Sequence, residues 1–189
     1  MMLHFLPNHS PTKIPSMKKN KNTLSDTPTM YKTGNDLPLG ERAELNTLIN
    51  LRLASAIDLQ LQMKQAHWNV KGPSFIGLHE LFDKIDEAVE GYVDMIAERI
   101  VQLGGIAEGT VRVAASRSRL VEYPLTLSDG MAHVDAVATA LSTFGREARA
   151  TIGEAEELND ADTADLFTEV SRGIDKWLWF VEAHSQATT

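Results

Sequence analysis

Residues 66–83 read AHWNVKGPSFIGLHELFD. Gly72 and Pro73 interrupt an otherwise helical spacing. Proline lacks the backbone donor that a helix needs and pushes the residue before it out of helical geometry. The stretch is therefore a join between two helices, short enough to make them antiparallel neighbours. His67 and His79 lie on either side of the join, and Asp83 follows His79 at the i, i+4 spacing of one helix face. All three are metal-ligand types, but nothing within the stretch completes a coordination shell.

Upstream, Leu45, Leu48, Ile49, Leu53, Ile57, Leu61 and Lys64 recur at three-to-four spacing from about Glu41, which predicts a first amphipathic helix ending near Val70. Downstream, Ser74 can cap a second helix that reaches Leu103 and stops at Gly104-Gly105, roughly 45 Å of helix at 1.5 Å per residue. The segment up to Tyr123-Pro124 has no long periodic run and reads as a crossover carrying a short helix. A third helix follows a cap at Thr126 or Ser128 and runs to about Leu158; after a short turn at Asn159–Asp162, a fourth begins at Ala161 or Thr163 and ends near His184. Short link, long link, short link is the connectivity of an all-α, ferritin-like antiparallel four-helix bundle with one long crossover. The bundle occupies residues 39–186. Residues 1–38, rich in Pro, Asn, Thr, Ser and Lys, read as a disordered, lysine-bearing N-terminal tail.

Composition narrows the chemistry. The 189 residues include no cysteine, which removes disulfides, thiolate metal sites and Cys nucleophiles and suits a reducing, cytoplasmic setting. A metal would have to be held by His, Asp and Glu, a donor set that suits iron, manganese or zinc. The net charge of −8 is split: Lys13, Lys18, Lys19, Lys21 and Lys32 outnumber Asp26 and Asp36 in the tail, while the rest is strongly acidic. A basic tail on an acidic body points to nucleic acid or a membrane surface as the tail's partner. No apolar run is long enough to span a bilayer, and MMLHFLPNHSPTK, interrupted by His4, Pro7 and His9, is not a secretory signal. Met17, followed by KKNKN, is an alternative start.

The second helix carries more information. With His79 at zero and about 100° per residue, Phe82, Ile85, Val89, Ile96, Ile100 and Leu103 cluster at about 240–300°, a core face. Asp83, Asp94 and Glu98 fall at about 40°, 60° and 100°, on a stripe away from the core. His79/Asp83 and Asp94/Glu98 are each i, i+4 pairs able to share one metal. Asp83 and Asp94, however, lie about 16 Å apart along the axis, so one helix cannot bring both pairs to one ion. A second, two-fold-related copy crossing near residues 88–89, where Ala88 and Gly91 permit close approach, could, with two equivalent sites per dimer. The stripe also contains Asp86, Glu87 and Glu90, and for an arbitrary helix a solvated acidic face is the commoner explanation.

The motif His67-Trp68-Asn69-Val70-Lys71-Gly72, then Leu78-His79 with Asp83, resembles the first signature of the Dps family of bacterial mini-ferritins. Asp94-Met95-Ile96-Ala97-Glu98-Arg99, followed by Leu103-Gly104 and Ala107, resembles the second, and Thr163-Ala164-Asp165, Ser171-Arg172, Asp175-Lys176 and Leu178-Trp179-Phe180 extend the likeness over residues 36–184. The resemblance implies a hollow homododecamer that oxidises Fe(II), preferentially with hydrogen peroxide, and stores ferric mineral, thereby protecting DNA. It implies iron ligands His67, His79 and Asp83 from one subunit and Asp94 and Glu98 from its two-fold partner. Trp68 would lie beside the iron site and intercept radical equivalents; the plainer reading is a packing aromatic. The Glu-x-x-His motif of di-iron bundles is not how this site is built.

The same resemblance puts Asp160, Asp162 and Asp165 at the border of a three-fold pore that draws in Fe(II); acidic residues opening a helix are equally explained by its dipole. Asp86, Glu87 and Glu90 could nucleate mineral, with solvated surface the commoner role. Trp177 and Trp179 read as core or interface residues, and His133 and His184 as ordinary core or surface histidines. The five tail lysines would bind DNA phosphates without sequence preference, multivalently and against the repulsion of an acidic shell, giving nucleoid association; the alternative is an inert solubilising tail. Two other readings stand beside the ferroxidase: a structural dodecamer that compacts DNA with little iron chemistry, and a monomeric metal-binding bundle.

Overall fold

A computed structural model describes residues 29–186. It contains five helices: α1 (Leu39–Asn69), α2 (Phe75–Gln102), α3 (Val111–Arg117), α4 (Gly130–Glu157) and α5 (Ala161–Glu182), and no strand among the described residues. α1 packs along α2 and α4 along α5, while α1 against α4 and α2 against α5 close the bundle. The short α3 lies in the crossover and rests on α1. This is the expected all-α ferritin-like bundle with one long crossover.

The α2 core face is the predicted one. Phe82, Ile85, Val89, Ile96, Ile100 and Leu103 are fully buried, facing Leu45, Ile49, Leu53, Leu59 and Met63 of α1, Phe144 of α4 and Phe167 of α5. Each large apolar side chain buried this way stabilises the fold by about 1.5–3 kcal/mol. Leu61, expected on the α1 stripe, is half exposed, because the buried register shifts to Leu59 and Met63. α1 also buries Asn50 and Gln62, which hold the crossover: Asn50 receives Glu108 N at 2.9 Å and donates to Ile106 O at 3.1 Å, and Gln62 donates to Val121 O at 3.1 Å.

Two expected caps differ. Ser74 is the N-cap of α2, but its side chain accepts no capping bond. The cap of α4 is Asp129, not Thr126 or Ser128; its carboxylate accepts from Met131 N at 3.0 Å and Ala132 N at 3.1 Å. At the α1–α2 join, Val70 is extended and Gly72 has φ +106°, a conformation that side-chain-bearing residues rarely adopt. Phe75 N then closes the turn on Gly72 O at 3.0 Å. Lys71 forms a bridge with Asp129, which ties this turn to the start of α4.

Residues 29–38 form no regular secondary structure, bend at Gly34 and Leu37, and are attached to the body: Tyr31 N donates to Gly104 O at 2.6 Å, and Arg42 of α1 reaches Leu37 O and Leu103 O. Lys32 is exposed on this strap. Lys13, Lys18, Lys19 and Lys21, with His4, His9 and the alternative start at Met17, lie outside the described residues.

Candidate metal centre

His67 is in the last turn of α1 and His79 in the second turn of α2, brought face to face by the Gly72-Pro73 turn. Their rings stack with centroids 3.7 Å apart and planes 22° from parallel. Each ring is clamped by the other residue's backbone: His67 Nδ1 lies 2.9 Å from His79 O, and His79 Nδ1 lies 2.8 Å from His67 O. A carbonyl only accepts, so both Nδ1 atoms carry the proton. In the neutral imidazole Nε2 is then the lone-pair nitrogen, the form in which the ring binds a metal, and each carbonyl fixes tautomer and ring orientation together.

Asp83 is one turn further along α2, its Oδ1 3.8 Å from His67 Nδ1. It is engaged by Lys64 of α1, whose Nζ is 2.7 Å from Asp83 Oδ1 and 3.4 Å from Asp86 Oδ2. The hydrogen bond from Lys64 holds the Asp83 carboxyl below the usual range, and the same bond raises the Lys64 ammonium. Asp86 is buried, and burial pushes its carboxyl up despite Lys64; its Oδ1 has no hydrogen-bond partner among the described residues. Glu87 and Glu90 are exposed.

Asp94 and Glu98 are exposed on the same α2 stripe, and neither has a side-chain hydrogen bond or ion pair among the described residues. The two i, i+4 pairs remain apart, as their axial separation requires. Among the described residues no three His, Asp or Glu side chains of one chain come together closely enough to hold an ion. Trp68, next to His67 in α1, is 66% exposed. Trp177 packs partly against the core, and Trp179 is exposed.

Of the three aspartates at the start of α5, Asp160 is buried as the helix N-cap and paired with Arg99 of α2 at 2.7 Å, whereas Asp162 and Asp165 are exposed. His133 is a core histidine, its Nδ1 2.6 Å from the Tyr123 hydroxyl, and burial lowers its pKa. His184 is exposed, its Nδ1 3.0 Å from Phe180 O one turn back. Sequence reasoning gave Lys64 no role at the site. The available signal was its position three residues before His67, on the same face of α1.

The bundle, with its long crossover and the α1/α2 histidine pair, defines a ferritin-like protein, and a family model of the ferritin-like domain matches residues 44–189. The chain is 44% identical over 156 residues to the DNA protection during starvation protein of Agrobacterium fabrum, covering 82% of this chain and 96% of that one. It superposes on Mycobacterium smegmatis Dps with a TM-score of 0.80 at 31% identity, covering 85% of this chain and 96% of the other. DpsA14 from Streptomyces coelicolor gives a TM-score of 0.81 at 32% identity, covering 86% and 96%. The chain belongs to the Dps family. No helix among the described residues is long and apolar enough to cross a membrane.

Proposed function

We propose that the protein is a ferroxidase and iron-storage shell that protects DNA. Fe(II) is its substrate, bound by His67, His79 and Asp83 of one subunit together with Asp94 and Glu98 of the partner subunit. The observation that carries this reading is the reciprocal Nδ1–carbonyl clamp, which leaves Nε2 as the lone-pair nitrogen of both neutral rings, with Asp83 one turn beyond His79 on α2. An acidic surface patch has no need of two stacked histidines in one tautomer. Asp94 and Glu98, exposed and without a side-chain partner among the described residues, supply the missing donors once α2 meets its two-fold copy. Gly91 supports that approach, since a methyl placed there would meet nothing within 4 Å among the described residues.

The chemistry follows from the donors. Imidazole binds Fe(II) without adding charge, and carboxylates stabilise Fe(III) over Fe(II), so this mixed set favours loss of an electron. Two Fe(II) ions each give one electron to the O–O bond of peroxide, which leaves as two hydroxides or waters; iron and peroxide are consumed together. Ferric product is kept within a homododecamer in the bacterial cytoplasm. Asp162 and Asp165 serve the entry pore; Asp160, held by Arg99, supports its rim. Trp68, exposed beside His67, takes up stray oxidising equivalents.

Mixing Fe(II) with peroxide should raise ferric absorbance in the near-ultraviolet within seconds in the wild type, and His67→Ala with Asp94→Ala should slow it by about a hundred-fold or more. An unchanged rate in that double variant would sink the site assignment; a slow wild type that still compacts DNA would favour the structural alternative. The tail lysines, with Lys32 at the base of the tail, are assigned to non-specific DNA binding. At low salt, supercoiled DNA should be retarded by the full chain and released when residues 1–36 are removed. Equal retardation by both would exclude the tail.

A further inference from the structure

We propose that Lys64 is the resident counter-cation of the half-site: its ammonium holds Asp83 until a divalent ion arrives, then transfers to Asp86, so that Lys64 sets the metal affinity. The inference rests on the metal-binding reading of His67, His79 and Asp83.

Lys64 stands between two carboxylates spaced i, i+3 on α2, at 2.7 Å from Asp83 Oδ1 and 3.4 Å from Asp86 Oδ2. The contacts are unequal, and so are the carboxylates. Asp83 is 41% exposed and is the one assigned to metal; Asp86 is buried, with Oδ1 lacking a hydrogen-bond partner among the described residues. A buried carboxylate oxygen without a partner is costly, so Asp86 gains from receiving the ammonium in full. Asp83 has no competing claim from His67, whose Nδ1 proton is committed to His79 O. The move is short and needs no backbone change, because a lysine head rides on a flexible four-carbon stem.

Metal and ammonium compete for the same Asp83 oxygens. The 2.7 Å contact therefore opposes metal binding, and Asp86 reduces that opposition by accepting the displaced charge. Arginine would behave differently, because its planar fork can engage both carboxylates at once and has no reason to release one.

The test is calorimetric titration of the assembled full-length protein with Zn(II), a redox-inert ion that takes the same nitrogen and oxygen donors. Lys64→Met should bind Zn(II) about tenfold more tightly than wild type, and Lys64→Arg and Asp86→Asn about fivefold more weakly, within the usual range of coupling between linked sites. Opposite shifts in the two lysine variants are the signature of competition; loss of packing would move both the same way. If Lys64→Met is too unstable to assemble, Lys64→Arg and Asp86→Asn still carry the expected weakening. Equal affinity in the lysine variants, or weakening in both, overturns the proposal, and an unaffected Asp86→Asn overturns the transfer to Asp86. His79→Ala separates the two levels: Zn(II) binding indifferent to His79 removes the metal site itself. Binding that depends on His79 but not on Lys64 removes only the lysine's role.

Discussion

Subunits carrying His79→Ala and Asp83→Ala, co-assembled with subunits carrying Asp94→Ala and Glu98→Ala, should recover ferroxidase activity that neither set shows alone. Each variant set assembled by itself lacks one half of every site and should lose about a hundred-fold or more in initial rate. In a mixed two-fold dimer the intact histidine half of one subunit meets the intact carboxylate half of the other, and the second site of that dimer is doubly broken. Random pairing makes half the dimers mixed, so about a quarter of all sites are restored. Initial rates of Fe(II) oxidation by peroxide, on particles whose mixed composition is checked by mass spectrometry, read this fraction. Recovery to about a quarter of wild type requires a site split between subunits. Mixed particles as inactive as the parents would place all the ligands in one chain or move the chemistry elsewhere.

The separation of the two candidate ligand pairs was legible before any coordinates because it is a statement about one helix: its period puts Asp83, Asp94 and Glu98 on one stripe, and its rise keeps the pairs apart. The bundle was legible for a similar reason. Gly72-Pro73, Gly104-Gly105 and the turn at Asn159 punctuate long periodic runs, and the observed helix ends agree to within a few residues. What the sequence did not disclose depends on how neighbouring helices meet. Lys64 can reach Asp83 and Asp86 only in the observed packing of α1 on α2. The histidine clamp needs the conformation that Gly72 gives the turn. The capping role of Asp129 over Thr126 or Ser128 was decided by which residue takes extended backbone one position before Gly130. Asp160 shows the limit most clearly. Its helix-opening position was readable, but its burial comes from Arg99, 61 residues earlier, and no local pattern announces that meeting.

Replacing Arg99 by methionine should destabilise the protein by about 3–5 kcal/mol near pH 7, because it strands a buried carboxylate. Arg99 donates from Nη2 to Asp160 Oδ1 at 2.7 Å and from Nε to Thr163 Oγ1 at 2.9 Å, while Thr163 itself bonds both Asp160 oxygens, through its amide and its hydroxyl. Burial alone would push the Asp160 carboxyl up; the bonds from Arg99 and Thr163 outweigh it and hold the group below the usual range. A carboxyl lowered in this way stabilises the fold above its unfolded pKa of about 3.9, and that contribution is lost as pH falls through the folded value. In Arg99→Met burial should prevail, so the variant's carboxyl is raised and the sign reverses: the fold now loses stability as Asp160 ionises with rising pH. The gap between variant and wild type should therefore be widest near neutrality and narrow toward about pH 4. Denaturant unfolding at fixed subunit concentration, at both pH values, measures it. Adding Asp160→Asn should recover much of the loss, since a neutral amide keeps the cap without the stranded charge. A gap independent of pH, or a double variant no better than the single, would mean that Arg99 acts by packing alone. Arg99 also adjoins Glu98, so a loosened C-terminal end of α2 would displace a proposed iron ligand; metal affinity measured in the Asp160→Asn background then separates lost position from lost stability.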